Sequence, residues 1–135
     1  MNPAAATPFT LMYRPRDFDG TVAFLRDVIE LELVSAWDDD GRGAIFAVGT
    51  GRLELFWDAN PDAARAARPH RPTASLDALP ISISWQVDDV DQTVERWQRN
   101  GATIVSAPTD TPWYTRMAVA TTPDGLLLCP TSPLP

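Results

Sequence analysis

The chain has no lysine, one histidine and one cysteine, and no apolar run approaches membrane-spanning length. Each of these absences excludes something. A lone cysteine, Cys129, cannot form an intrachain disulfide and is compatible with a reducing compartment. The lone histidine, His70, stands in a Pro-rich stretch beside Arg68, Arg71 and Pro72 and reads as a solvated loop residue rather than a general base. A nucleophile at Ser82 or Cys129 would need that one imidazole to reach it. All 11 cations are arginine and the net charge is −7, so there is no clustered basic face to release counterions from duplex DNA or an anionic membrane. The acidity serves solubility, and it would also draw in a cationic small molecule. Residues 1–8 have neither a basic stretch nor the apolar core of a secretory signal, so the cytoplasm is the expected location.

What is present is a duplication. Residues 82–91, Ser-Ile-Ser-Trp-Gln-Val-Asp-Asp-Val-Asp, repeat the pattern of residues 10–19, Thr-Leu-Met-Tyr-Arg-Pro-Arg-Asp-Phe-Asp: a strand ending at an Asp-x-Asp that opens an amphipathic helix. At 135 residues there is room for two half-domain modules but not two independent domains. The first module is expected over about residues 9–58: a strand at 9–14, a helix at 21–29 capped by Asp19, and strands at 31–37, 43–48 and 52–57. Residues 59–80, with four prolines, read as a linker with a helical turn near 63–67. The second module occupies about 81–130, with a strand at 81–87, a helix at 91–100 closed by Gly101, and strands at 102–106, 114–121 and 126–129. Residues 131–135 read as a tail. The fold class is α+β: two tandem β-α-β-β-β modules forming a curved, cupped mixed sheet with helices outside and a pocket on the concave face.

On these residues the chain resembles the glyoxalase, bleomycin-resistance and extradiol-dioxygenase superfamily, also called the vicinal oxygen chelate proteins. The resemblance is carried by Arg16-Asp17-Phe18-Asp19 leading into Ala23-Phe24-Leu25-Arg26-Asp27-Val28, by Val87-Asp88-Asp89-Val90-Asp91, by Asn100-Gly101-Ala102, and by Pro112-Trp113 with Arg116 before Pro123-Asp124-Gly125. It implies a metal centre in the enzymatic members, with ligands at positions that map onto Thr10, Glu54, Ser82 and Cys129. Hydroxyls are poor ligands for a divalent ion that prefers imidazole or carboxylate, so only Glu54 is convincing and no metal or other cofactor is expected. The family helix also ends Leu-Gly-Leu, where this chain reads Ile29-Glu30-Leu31, which would force Glu30 into positive φ unless the helix ends differently.

Cys129, flanked by Leu126-Leu127-Leu128, reads as a small buried hydrophobe, and the Asp38 to Asp40 run as a solvated turn without the spacing of a calcium loop. If Gly49-Thr50-Gly51 is a three-residue turn, Phe46 lies opposite Glu54 and Ala44 opposite Phe56, on one face with Thr10, Met12, Arg14, Ser82 and Ser84. Glu54 then needs a cationic partner, either Arg14, Arg52 or Arg116 or a cationic ligand. Trp85, Trp97 and Trp57 have core parity, while Trp37 and Trp113 beside Tyr114 are placed to stack on a planar ligand. The expected ligand-binding set is Trp37, Phe46, Glu54, Phe56, Ser82, Trp113, Tyr114 and Arg116.

By resemblance to the bleomycin-resistance branch, the expected function is metal-free binding that sequesters an aromatic, DNA-directed antibiotic, cationic by the charge argument, in a homodimer. Two readings compete with it: a metal-independent isomerase or cyclase with Glu54 as acid or base, and a structural subunit without ligand.

Overall fold

A computed structural model describes residues 8–39, 41–57 and 81–135. The linker expected at 59–80, with His70 and its helical turn, lies outside the described residues, as does Asp40. The first module runs β1 (Thr10–Tyr13), α1 (Phe18–Ala23) continuing into a π-helical turn (Phe24–Val28), β2 (Glu32–Asp38), β3 (Arg42–Val48) and β4 (Gly51–Trp57). The second runs β5 (Ser82–Gln86), α2 (Val90–Arg99), β6 (Thr103–Asp110), β7 (Thr115–Thr121) and β8 (Leu127–Pro133). Each forms a four-stranded mixed sheet, ordered β1-β4-β3-β2 and β5-β8-β7-β6, in which the opening strand pairs parallel with the closing one. The two orders are the same pattern twice, as the duplication requires.

Both helices start one residue before the second aspartate of the Asp-x-Asp. Asp17 and Asp89, in extended conformation, are the N-caps, accepting from the backbone N–H of Gly20 and Gln92. The expected cap Asp19, and Asp91 in the second module, instead sit in the first turn and pair with arginines of the sheet. Asp19 bonds Arg42, which also reaches Asp38 at 3.9 Å. Asp91 takes two bonds from Arg116, at 2.6 and 2.9 Å, and Arg116 donates a further one to Asp110 at 2.8 Å. Each helix is thus tied to the middle of its sheet by an Asp-Arg-Asp clamp.

The helix-facing sides of the two sheets share a core: Leu25, Ile29, Phe46, Leu53 and Leu55 of the first module pack in one cluster with Trp97, Ala102, Ala120, Leu126 and Leu128 of the second. Polar contacts cross the same boundary. Buried Asp124, in the β7–β8 turn, accepts from the Arg16 backbone N–H at 3.2 Å and the Thr21 hydroxyl at 3.1 Å. Asn100 Nδ2 donates to Val28 O at 3.0 Å, and Arg96 pairs with Glu30 at 2.8 Å.

The expected tail is strand: β8 continues to Pro133, with Pro130 fully buried. A proline is tolerated in this central strand because β7–β8 pairing holds at 115–117 and again at 120–121 and skips the stretch opposite Pro130, which has no N–H to give. Strand β6 extends to Asp110, carrying Pro108 on the sheet edge where the ladder shifts register.

Candidate functional site

The β3–β4 register corrects the expected face. Val48 pairs with Gly51, so the turn has two residues, Gly49 and Thr50, with Gly49 at φ 56, as a hairpin turn of the primed type requires. A turn one residue shorter slips the ladder by one and moves side chains to the opposite side. Phe46 therefore lies opposite Leu53, on the helix side and 0% exposed, as does Ala44 opposite Leu55. Ile45 takes the place opposite Glu54, and Gly43 the place opposite Phe56.

The open face of the first sheet then carries Thr10, Met12, Ile45, Arg52, Glu54, Phe56 and Trp37. The Trp37 ring lies flat on Gly43, so close that a Cβ there would be 1.9 Å from it, and Phe56 beside this pair is 5% exposed. Gly43 is what lets the indole lie down on the sheet. Trp57, expected in the core, is 36% exposed at the end of β4, with the Arg14 guanidinium 4.5 Å from its ring centre.

The open face of the second sheet carries Ser82, Ser84 and Gln86 of β5 beside Leu127, Cys129 and Thr131 of β8. Cys129 is buried, which raises its pKa above the ordinary thiol value, and a hydrogen bond with Ser82 only partly offsets this. Raised in this way, the thiol is a poor nucleophile near neutral pH. Trp113 and Tyr114, 62% and 80% exposed, form the tip of the β6–β7 connection, where Tyr114 has φ 67 and its carbonyl accepts from Leu134. Arg116 faces the helix, committed to Asp91 and Asp110, and both hydrogen bonds hold its pKa above the ordinary value.

The four positions that map onto the family's metal centre do not fit a divalent ion. Thr10 and Glu54 are on the first open face, Ser82 and Cys129 on the second, and they offer two hydroxyls, a protonated thiol and one carboxylate. Among the described residues no three His, Cys, Asp or Glu side chains stand together as a ligand set.

A recess lies elsewhere, in the seam between the modules. A half-open cleft of about 540 Å³ lies between the unpaired edge of β5 on one side and the start of β1 with the β3–β4 hairpin on the other. Phe9, 78% exposed, stands at its mouth; Leu11, Leu53, Ile83 and Trp85 make its apolar wall; Thr50, Ser82, Ser84 and Gln86 supply neutral polar groups, and Arg52 the charge. Trp85 is held there by stacking at 37° on Trp97, ring centres 5.8 Å apart. Of the residues expected in the site, the structure brings Ser82 to this cleft and leaves Trp37, Glu54 and Phe56 on the first sheet's open face and Trp113 and Tyr114 on their hairpin tip. Phe9, Thr50, Arg52 and Gln86 were not anticipated in the site. The strict alternation of 81–87 signals Gln86 together with Ser82 and Ser84, whereas nothing local marks Phe9 or Arg52.

A family model described as the Glyoxalase/Bleomycin resistance protein/Dioxygenase superfamily matches residues 8–129. Among solved structures, TioX from Micromonospora sp. ML1 superposes with a TM-score of 0.72 at 21% identity, covering 96% of this chain and 100% of that one. TnmS3, an antibiotic binding protein from Streptomyces sp. CB03234, gives 0.71 at 20% identity over 96% of this chain and 98% of that one. A glyoxalase/bleomycin resistance protein/dioxygenase family enzyme from Burkholderia phytofirmans PsJN gives 0.70 at 18% identity over 96% and 100%. No curated protein matches the sequence. At these identities the structural likenesses speak to fold.

Proposed function

The chain belongs to the Glyoxalase/Bleomycin resistance protein/Dioxygenase superfamily, and from that membership we propose that it is a metal-free small-molecule binding protein that sequesters a planar aromatic, DNA-directed antibiotic without transforming it. The observation that carries the reading is the lining of the seam cleft: aromatic and apolar walls with hydroxyls, a carboxamide and a guanidinium, and no His, Asp, Glu, Cys or Tyr among the described lining residues. Such a lining can bind and orient, but it holds no group to take or give a proton near neutral pH. The fold shared with an antibiotic binding protein supports the same reading. Trp37, Glu54, Trp113 and Tyr114 are proposed as outer ligand contacts, with buried Phe56 as backing for Trp37 rather than a contact. The protein is proposed to act in the cytoplasm as a homodimer, the second copy covering sheet edges that expose Leu33, Val34 and Val105.

The test is titration of the purified protein with planar antibiotics, followed by tryptophan fluorescence, with mass spectrometry of the recovered ligand and elemental analysis of the protein. Saturable quenching with the ligand returned unchanged and no stoichiometric metal supports the proposal. A chemically altered ligand, or stoichiometric zinc, iron, nickel or manganese, overturns it. Replacing Trp113 by Ala should weaken binding by about 1 kcal/mol if its ring stacks on the ligand. Sedimentation at micromolar concentration showing only a 14.8 kDa species would remove the dimer.

A further inference from the structure

The net charge of −7 favours a cationic ligand at long range, yet the cleft itself has the opposite sign. Its one charged lining residue is Arg52, exposed, with no ion-pair partner among the described residues; the remaining arginines of the sheets, Arg42 and Arg116, are tied into their clamps. The nearest carboxylate along the strand, Glu54, is two residues on and is not part of the lining. Thr50, Ser82 and Ser84 each have an O–H to donate, Gln86 an amide N–H₂, and Arg52 a fork of N–H groups that matches a carboxylate in a bidentate manner. The edge of β5 adds backbone groups. Val87 N–H bonds across to Thr131 of β8, so by alternation the backbone N–H and C=O of Ser82, Ser84 and Gln86 point away from β8, toward the open side. A cation brought here would meet no acceptor-only side chain and would face the guanidinium.

We propose that the ligand of this cleft is a planar aromatic acid, a carboxylate or an ionised phenol, whose anionic group is held by Arg52 with Ser82, Ser84 and Gln86 while its rings lie against Phe9 and Trp85. This rests on the reading of the cleft as a small-molecule site and reverses the ligand charge that composition alone suggests. The anion is recognised by geometry at short range, where a guanidinium fork and hydroxyls touch it directly, whereas salt screens the field of the net charge beyond about 10 Å.

The experiment uses the full chain and three matched probes, an anthraquinone bearing a carboxylate, its carboxamide and its aminomethyl counterpart, with binding followed by calorimetry. The carboxylate should bind about tenfold or more tightly than the carboxamide, as charge-assisted hydrogen bonds require, and the aminomethyl compound most weakly. Arg52→Gln should abolish the difference between carboxylate and carboxamide, and Arg52→Lys should keep part of it. Because Arg52 is exposed and its side chain makes no ion pair among the described residues, the variants should melt as the parent does, which a thermal scan checks. If the aminomethyl compound binds best, or Arg52→Gln leaves the preference intact, the acid assignment is wrong while the cleft remains a binding site. If none of the three binds, the reading of the cleft itself fails.

Discussion

Laid over each other, the two modules agree at the start of the helix and differ at its end. Both have an aspartate N-cap, an aspartate two residues later clamped to an arginine of the sheet, and a buried anchor eight residues after the cap, Leu25 in one and Trp97 in the other. Both helices also leave through a left-handed residue, Glu30 at φ 63 and Gly101 at φ 102. That residue, however, lies 13 positions after Asp17 (30 minus 17) and 12 after Asp89 (101 minus 89). The first module contains one residue more, and the π-helical turn accommodates it. Ile29 N–H reaches back five residues to Phe24 O, and Leu31 N–H six residues to Leu25 O. A wider turn absorbs the insertion while the cap, the anchor and the exit keep their places against the sheet. At the exit the second module uses glycine, and the first uses a glutamate tied to Arg96 of the second helix, so part of the cost of strain in one module is offset by a contact with the other.

Trp97→Ala and Leu25→Ala remove equivalent fully buried anchors, and should cost about 3–5 and 2–5 kcal/mol in denaturant melts. A small cost at either would show that the anchors are not equivalent. Next, Asp124→Ala should cost about 2–3 kcal/mol, because it leaves the Arg16 N–H and the Thr21 hydroxyl without their charged acceptor. The corresponding turn of the first module, Gly49-Thr50, carries no carboxylate, so Thr50→Ala should leave stability within about 0.5 kcal/mol of the parent.

Third, the two helix exits should respond with different signs. Gly101→Ala meets no steric obstacle within 4 Å but forces a side chain into positive φ, and should cost about 1 kcal/mol. For Glu30→Gly the same strain is relieved, at the loss of a half-exposed ion pair and with more freedom in the unfolded chain, so stability should stay within about 0.5 kcal/mol or rise. A clear loss there would mean that Glu30 is not strained. The smallest effect is on acid stability. Hydrogen bonds from Arg42 and Arg116 hold the carboxyls of Asp19 and Asp91 below their ordinary values. A carboxylate with a lowered folded-state pKa contributes above its unfolded value, about 3.9, and the contribution is lost as pH falls through the folded value. Arg116→Gln and Arg42→Gln should therefore each move the acid-unfolding midpoint to higher pH. An unchanged midpoint in either variant would show that its clamp adds nothing to acid stability.

The same comparison marks where sequence reading stopped. The duplication, the eight strands, the turn at Thr122-Pro123-Asp124-Gly125 and the left-handed Glu30 were all readable, because alternation, turn chemistry and an Asp-x-Asp act over a few residues. Which aspartate caps the helix was not, since either can cap in isolation and the choice falls on Asp17 once Arg42, far along the chain, claims Asp19. Phe46 was assigned to the wrong face because Gly49-Thr50-Gly51 permits turns of two or three residues, and one residue decides the side on which every later residue lies.

Residue type and short spacing therefore specify two β-α-β-β-β modules, their order, their left-handed helix exits and the poverty of the mapped metal positions in good ligands. Only the tertiary structure decided where a ligand can enter. The cleft is built from residues as far apart in the chain as Phe9, Arg52 and Gln86, which share no local pattern and meet only because two sheets dock edge to edge with a gap between β1 and β5. Its charge was likewise hidden, because net charge sums over the whole chain, whereas the sign of a site depends on which single side chain the fold leaves facing it.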